Sequence, residues 1–258
     1  MKTILYLGAE VGAQAAEELV AGRAEVRRVP AEPEDVQTEI KTCSALLDAS
    51  MKVRITDRMV ASAAGLKIIS CATTGSDHID RKELESRCIP VRTLREDKEL
   101  LLNLTPAAEL SWALLMACAR KLPAAVKHVV SGGWNREQFP GIMLNGRQIG
   151  IIGCGRIGTW MSRYARAFGM DIVGYDPIIS EFPPHIRPVS LDELAHTSDF
   201  ITIHVPLTEN TTGLFSKKHC ALVKPGAILI NTSRGAIVDE QGLLTALESN
   251  QMGAAGLD

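Results

Sequence analysis

The stretch Gln148–Asp176, QIGIIGCGRIGTWMSRYARAFGMDIVGYD, constrains the fold of this chain more than any other. An apolar, β-branched run (Ile149, Ile151, Ile152) breaks into Gly153, Gly155 and Gly158 at G-x-G-x-x-G spacing. A helical stretch through Phe168 follows, then a short strand-like run, Ile172 to Tyr175, that ends on Asp176. The glycines alone are weak, but strand, glycine turn, helix, strand and acid in this order are the fingerprint of a dinucleotide-binding βαβ unit. Gly153 permits a tight turn off the strand, Gly155 keeps a side chain from between backbone and pyrophosphate, and Gly158 lets the helix lie close to the sheet. The helix N-terminus then offers free N–H groups and a partial positive charge to phosphates.

Asp176 stands about twenty residues beyond the glycine turn, where a carboxylate accepts hydrogen bonds from the adenosine ribose. An acid there repels a 2′-phosphate, and Pro177, Ile178, Ile179 and Ser180 bring no cation to receive one. The expected cofactor is therefore NAD rather than NADP.

At 258 residues the chain can form two compact domains or one large one. With 28 basic and 30 acidic side chains it offers no general attraction to nucleic acid or to an acidic lipid surface. The opening MKTILYLGAEVG has one Lys and a short apolar run before Gly8 and Glu10, too short for a signal-peptide core. No later stretch reads as long enough to span a membrane, so the expected location is cytoplasmic. Cys43, Cys71, Cys88, Cys118, Cys154 and Cys220 lie far apart with no C-x-x-C pair and read as reduced, mostly buried thiols. Cys154 lies in the phosphate turn, where a helix N-terminus could lower a thiol pKa, but the position needs only a tolerated side chain. No metal site is expected.

In chain order, Lys2–Gly8, Ala24–Val29, Ser44–Leu47 and Leu66–Cys71 read as strands, the last of the kind buried on both faces. Gln14–Val20 and Thr56–Ala64 read as helices, and AEPEDVQ as a loop or short capped helix. Strands and helices that alternate in this way predict an α/β fold with parallel, doubly wound sheets. Leu100–Leu122 changes character: Thr105 is placed to cap a helix, Pro106 to open it and Glu109 to sit in its opening turns. Its unbroken apolar content predicts a helix buried between bodies. The domain boundary is placed just ahead of it, giving segments 1–98 and 99–258. Phe200–Val205, Ala227–Asn231 and a run from Gly253 read as later strands, Lys217–Leu222 as a helix, and Asp239 as a helix cap.

From about Leu66 to Asp258, the motifs TTGSDHID, NLTPAAEL, GIIGCGRIG, AFGMDIVGYDP, DFITIHVPLTENTTGLF, LVKPGAILINTSRGAIVDE and GAAGLD together resemble the D-isomer-specific 2-hydroxyacid dehydrogenases. The resemblance implies an NAD-binding Rossmann domain beside a smaller, flavodoxin-like substrate domain. It also implies hydride transfer between nicotinamide and C2 of a small D-2-hydroxy or 2-oxo acid, in a homodimer. Thr74, Gly75 and Ser76 then match the loop whose N–H groups hold the substrate carboxylate, and Asn103 an amide near the reacting centre. Arg156 and Ile157 match phosphate-turn residues, and His204, Val205 and Pro206 the segment under the adenine and ribose. Thr232, Ser233 and Arg234 match the turn at nicotinamide ribose and substrate, and Asp258 an acid by the carboxamide. Arg234 also has a physical case: a guanidinium fork fits a carboxylate with its adjacent oxygen, and a fixed cation stabilises the alkoxide that forms as hydride arrives.

The family's acid/base His and the Glu that orients it are expected beyond Asp258, and His78, His128, His185, His196, His204 and His219 read as surface or satisfied structural residues. Asp48 aligns where phosphoglycerate dehydrogenases carry an Arg, which disfavours a phosphorylated substrate, with Lys52 and Arg54 as unplaced cations nearby. The alternative from another class is an NAD-binding protein without turnover, either truncated or a sensor like the C-terminal-binding-protein corepressors. A reading frame that continues past Asp258 into a Glu-Pro and then a His segment distinguishes the two.

Overall fold

The computed structural model describes residues 2–179 and 181–258, so Ser180, one of the residues following Asp176, lies outside the described residues. The chain divides into two compact units, Met1–Leu102 and Asn103–Asp258. The division falls after the short helix Lys98–Leu102 rather than ahead of it.

In the first unit, strands β1 (Lys2–Leu7), β2 (Ala24–Arg28), β3 (Ala45–Asp48), β4 (Ile68–Cys71) and β5 (Val91–Thr93) form one sheet in the order β2-β1-β3-β4-β5. Every pairing is parallel. This is the flavodoxin-like order, with its switch point between β1 and β3. Leu5, Leu7, Leu46 and Ile69 lie in its core. β4 is not buried on both faces as expected: Ile69 and Cys71 are buried while Ile68 and Ser70 are partly exposed. The first helix runs Glu10–Val20 and starts ahead of the expected Gln14. Gly12 hides that start, because glycine weakens a helical pattern. A Cβ on Gly12 would lie 2.0 Å from the Tyr6 hydroxyl oxygen, so the glycine makes room for a core aromatic. AEPEDVQ does hold a short helix, Pro33–Glu39, with the proline in its first turn.

In the second unit, β6 (Gln148–Ile152), β7 (Asp171–Tyr175), β8 (Arg187–Pro188), β9 (Phe200–Ile203), β10 (Ala227–Asn231) and β11 (Met252–Leu257) are all parallel, in the order β11-β10-β9-β6-β7-β8. The order reverses between β6 and β9, so the loops after these strands flank the crevice where an open α/β sheet takes its ligand. β9 and β10 are buried throughout, as central parallel strands should be.

The apolar segment 100–122 is not one helix. After Lys98–Leu102 the chain breaks at residues 103–105, then forms the helix Pro106–Ala119. That helix packs on β10, β11 and the helix Arg156–Ala167 through Ala108, Ser111, Leu115 and Ala119, while Leu110 is exposed. It thus buries one face rather than its whole circumference. Thr105 precedes the helix, but its backbone is already helical (φ −100°, ψ −14°) and its hydroxyl donates to Glu109 at 2.5 Å instead of capping an N–H. By length and composition alone Lys98–Ala119 could cross a membrane, contrary to the expectation that no stretch could. One such segment is weak evidence, and Pro106–Ala119 contacts β10 and β11.

Candidate functional site

The parallel β6, β7, β9, β10 and β11 bring Gly153–Gly158, Asp176, His204–Pro206, Thr232–Arg234 and Asp258 to the carboxyl end of the second unit's sheet. At the glycine turn the geometry differs residue by residue. Gly153 has φ +92°, and a Cβ there would lie 2.7 Å from the His204 carbonyl carbon and 2.8 Å from Val205 N, so the turns after β6 and β9 touch backbone to backbone. Gly158 is closed from below: its Cβ would stand 2.1 Å from the Gly153 carbonyl oxygen. Gly155 is exposed, and a Cβ there would meet nothing within 4 Å. The open space lies at the N-terminus of Arg156–Ala167, whose first N–H groups have no intrahelical partner. A pyrophosphate fits that cradle by charge and by hydrogen bonding.

Asp176 is joined to the turn. Its Oδ2 accepts from Cys154 N at 2.8 Å, and its Oδ1 accepts from Ile178 N at 2.9 Å and Ile179 N at 3.2 Å. A carboxylate offers about four lone-pair sites, so acceptor capacity remains for a ribose hydroxyl. The Arg156 guanidinium turns away from the cradle and donates to the Leu104 carbonyl, which fixes the segment beside the exposed Asn103. Ile157 packs partly buried against the core. Cys154 is buried, and burial, then the charge of Asp176, pushes its thiol up to about 12; it stays protonated, as the plain structural reading expects.

The turn after β10 is held from several sides. Asn231 Oδ1 accepts from Ser233 N at 3.0 Å, Asn231 Nδ2 donates to the Arg234 carbonyl at 2.9 Å, and Ser233 Oγ donates to the Ile203 carbonyl at 2.9 Å. Thr232 Oγ1 meets Ser111 Oγ at 2.7 Å; because Ser111 donates its proton to the Ala107 carbonyl, Thr232 is the donor. Ser111 has no sequence signal of its own beyond an apolar helix face. Arg234 is half-buried, with Nη1 donating to the Ser233 carbonyl at 2.9 Å. Asp258 N donates to the Asn231 carbonyl at 3.2 Å, which sets this acid beside the same turn.

His204 corrects an expectation. It is neither a surface residue nor a satisfied one: Nε2 lies 2.7 Å from Thr202 Oγ1, while the buried Nδ1 has no partner among the described residues. Burial pushes its pKa down to about 3, so the ring is neutral at physiological pH and does not supply a proton there. Pro206 accepts from Thr211 Oγ1 at 2.6 Å, which steadies the segment after β9.

In the first unit, Thr74, Gly75 and Ser76 lie in the loop that follows β4. Thr73 Oγ1 donates to the Gly75 carbonyl at 2.9 Å and Arg81 Nη2 donates to Ser76 Oγ at 2.7 Å. His78 is a second correction: its side chain is 9% exposed, its Nε2 pairs with Asp48 Oδ2 at 2.8 Å, and its Nδ1 is buried without a partner among the described residues. Asp48 is a third. It presents no acid to a substrate, being fully buried with Oδ1 accepting from Ser50 N, Ser50 Oγ and Met51 N. Burial works against its charge, but the bonds from His78, Ser50 and Met51 outweigh burial and hold its carboxyl below the usual range. Arg54 is paired with Asp80 at 2.8 Å, and Lys52 is exposed.

Residues 112–258 match the NAD binding domain of the D-isomer specific 2-hydroxyacid dehydrogenases, and residues 6–95 match their catalytic domain. D-3-phosphoglycerate dehydrogenase of Rattus norvegicus is 37% identical over 228 residues, 87% of this chain and 42% of the relative. The chain thus spans less than half the length of that relative. An NAD-dependent formate dehydrogenase from Staphylococcus aureus, solved with NAD, superposes with a TM-score of 0.87 at 27% identity, covering 99% of this chain and 81% of the other. An acyclic imino acid reductase solved with NADPH and D-Arg superposes with a TM-score of 0.80 at 29% identity, covering 99% and 82%. With a glycine cradle at the switch point of the second unit's sheet, a flavodoxin-like sheet in the first unit, and family matches over both, this chain belongs to the D-isomer specific 2-hydroxyacid dehydrogenases.

Proposed function

We propose that this chain is the nucleotide- and substrate-binding part of an NAD-dependent oxidoreductase that interconverts a small D-2-hydroxy acid and its 2-oxo acid. The observation that carries it is the space over Gly155 at the β6/β9 switch point, with the Thr232–Arg234 turn held at the carboxyl end of the next strand. Gly153, Gly155, Arg156 N, Ile157 N and Gly158 form the phosphate cradle in this proposal. Asp176 takes the adenosine ribose, and His204, Val205 and Pro206 line the adenine side. Thr232, Ser233 and Asp258 serve the nicotinamide end, while Thr74, Gly75, Ser76 and Asn103 serve the substrate. When bound, NADH would supply a hydride to the 2-oxo acid, and NAD would accept one from the 2-hydroxy acid. Arg234 orients the carboxylate and stabilises negative charge on the adjacent oxygen.

Among solved neighbours both NAD and NADPH occur, so fold alone does not choose between them. The carboxylate of Asp176 favours NAD. The test is NADH oxidation with glyoxylate, pyruvate and hydroxypyruvate, comparing the parent with Arg234→Gln. We expect Arg234→Gln to lose about 10²-fold or more in kcat/KM. Unchanged kcat/KM in the variant contradicts the role of Arg234, and NADH binding without turnover of any 2-oxo acid supports the alternative of an NAD-binding protein without turnover, truncated or sensor-like.

We also propose a cytoplasmic homodimer that binds neither nucleic acid nor membrane, in keeping with the balanced charge. The helix Leu122–Val130 leaves Leu122, Val126, Val129 and Val130 exposed, and Trp134 just beyond is 91% exposed. A groove of about 740 Å³ lined by His128, Val129, Trp134 and Phe139 adjoins it. A second copy covering this face removes apolar surface that a monomer leaves in water.

A further inference from the structure

Asp48 and His78 form a buried acid–base pair to which the proposed function gives no task. Asp48 ends β3, beside the switch point of the first sheet, and it contacts the loop after β4 at both ends. Its backbone carbonyl accepts from Ala72 N at 2.9 Å where the loop begins, and its Oδ2 accepts from His78 Nε2 at 2.8 Å where the loop ends. The carboxylate is itself immobilised, because Oδ1 takes the bonds from Ser50 and Met51, and Met51 is held at φ 54°, a left-handed conformation unfavourable for a side chain of this kind. A buried pair of this sort is weak evidence for stability, since apolar residues of similar volume often serve as well or better; fixing a geometry is the better-supported use.

We propose that Asp48 and His78 are a positioning pair that holds the loop Thr73–Ser76 in the form that receives a substrate carboxylate. That role rests on the assignment of the loop to substrate above. Thr73 Oγ1 donates to the Gly75 carbonyl and Arg81 to Ser76 Oγ, while backbone bonds from Leu94 N to the Thr73 carbonyl at 3.0 Å and from Ile55 N to the His78 carbonyl at 2.9 Å hold the loop's two ends. Asp48 adds to these a buried side-chain tie, since it touches the span at Ala72 and at His78. Loss of the His78 side-chain tie loosens the loop between these backbone anchors and spreads its N–H groups over more conformations, each of which must be restricted again when the carboxylate binds.

The test is calorimetric titration of the full chain, first with NADH alone and then with pyruvate and with glyoxylate at saturating NADH. We expect His78→Ala to weaken 2-oxo acid binding about tenfold or more while NADH affinity stays within about twofold. His78→Gln, whose amide N–H replaces the Nε2–H donor, restores most of the affinity. In turnover the loss falls on KM with kcat nearly unchanged, a split that a general loss of folding does not produce. Should His78→Ala fail to fold, His78→Leu, which keeps much of the volume without a donor, carries the same comparison, and it too is expected to weaken 2-oxo acid binding alone. Parental 2-oxo acid affinity in the folded variants, even with a lowered Tm, overturns the positioning role. Failure of the parent to bind any 2-oxo acid overturns instead the assignment of the loop to substrate, and the positioning role falls with it.

Discussion

Gly155 and Gly158 exclude a side chain for opposite reasons, which separates folding from binding. A methyl on Gly158 drives into the Gly153 carbonyl, whereas one on Gly155 occupies only the space assigned to phosphate. Gly158→Ala is expected to destabilise the fold by about 1–3 kcal/mol, as overpacking does. Gly155→Ala should melt with the parent yet bind NADH at least about tenfold more weakly. Thermal melts and NADH titrations of both variants check this; equal NADH affinity for Gly155→Ala and parent contradicts the cradle. His204 gives a pH prediction. Its folded pKa is depressed to about 3, so between about pH 6.5 and pH 3 the unfolded chain takes up a proton that the folded chain refuses. The stability it contributes is complete above that window and falls as pH drops through it. Between pH 7 and pH 5 the parent should lose about 2 kcal/mol more than His204→Gln in urea unfolding. Equal losses contradict the burial of the ring. Spacing along the chain makes Gly153, Gly155, Gly158 and Asp176 legible in the sequence. The partners of His78 and His204, and the contact from Arg156 to Leu104, depend on long-range packing or strand geometry that periodicity does not report.

Most strands are legible as short apolar runs between turns, whereas the two-residue β8, Arg187–Pro188, carries no such run. Helix ends are less so. Glu10 opens its helix behind a glycine that serves Tyr6, and Thr105 stands at its expected place with its hydroxyl engaged by Glu109. The helix Pro106–Ala119 reads as uniformly apolar, yet its buried face is chosen by small residues, Ala108, Ser111 and Ala119 around Leu115, that let it approach the sheet closely. Ser111 couples that helix to the turn after β10. Ser111→Ala leaves the Thr232 hydroxyl without its acceptor and should cost about 1 kcal/mol. The double variant Ser111→Ala, Thr232→Val should cost less than the sum of the single changes by a similar amount. Strict additivity in urea unfolding shows that the two hydroxyls are not coupled.

For the whole molecule, exposed apolar side chains on segment 100–122, Leu100, Leu102, Leu110 and Leu122, are joined by Val126, Val129, Val130 and Trp134. Sedimentation at micromolar concentration is expected to show a dimer, and Val126→Glu with Val130→Glu to give a monomer that still binds NADH. A parent that sediments as a monomer contradicts the assembly. Family membership fixes the architecture, whereas the choice of cofactor turns on Asp176 at the end of β7, joined to the glycine turn through Cys154 N. The most direct test of that claim is calorimetric titration of the chain with NADH and with NADPH under identical salt. NADH is expected to bind at least about tenfold tighter, about 1.4 kcal/mol, with the gap narrowed in Asp176→Ala. Equal affinities, or tighter binding of NADPH, contradict it.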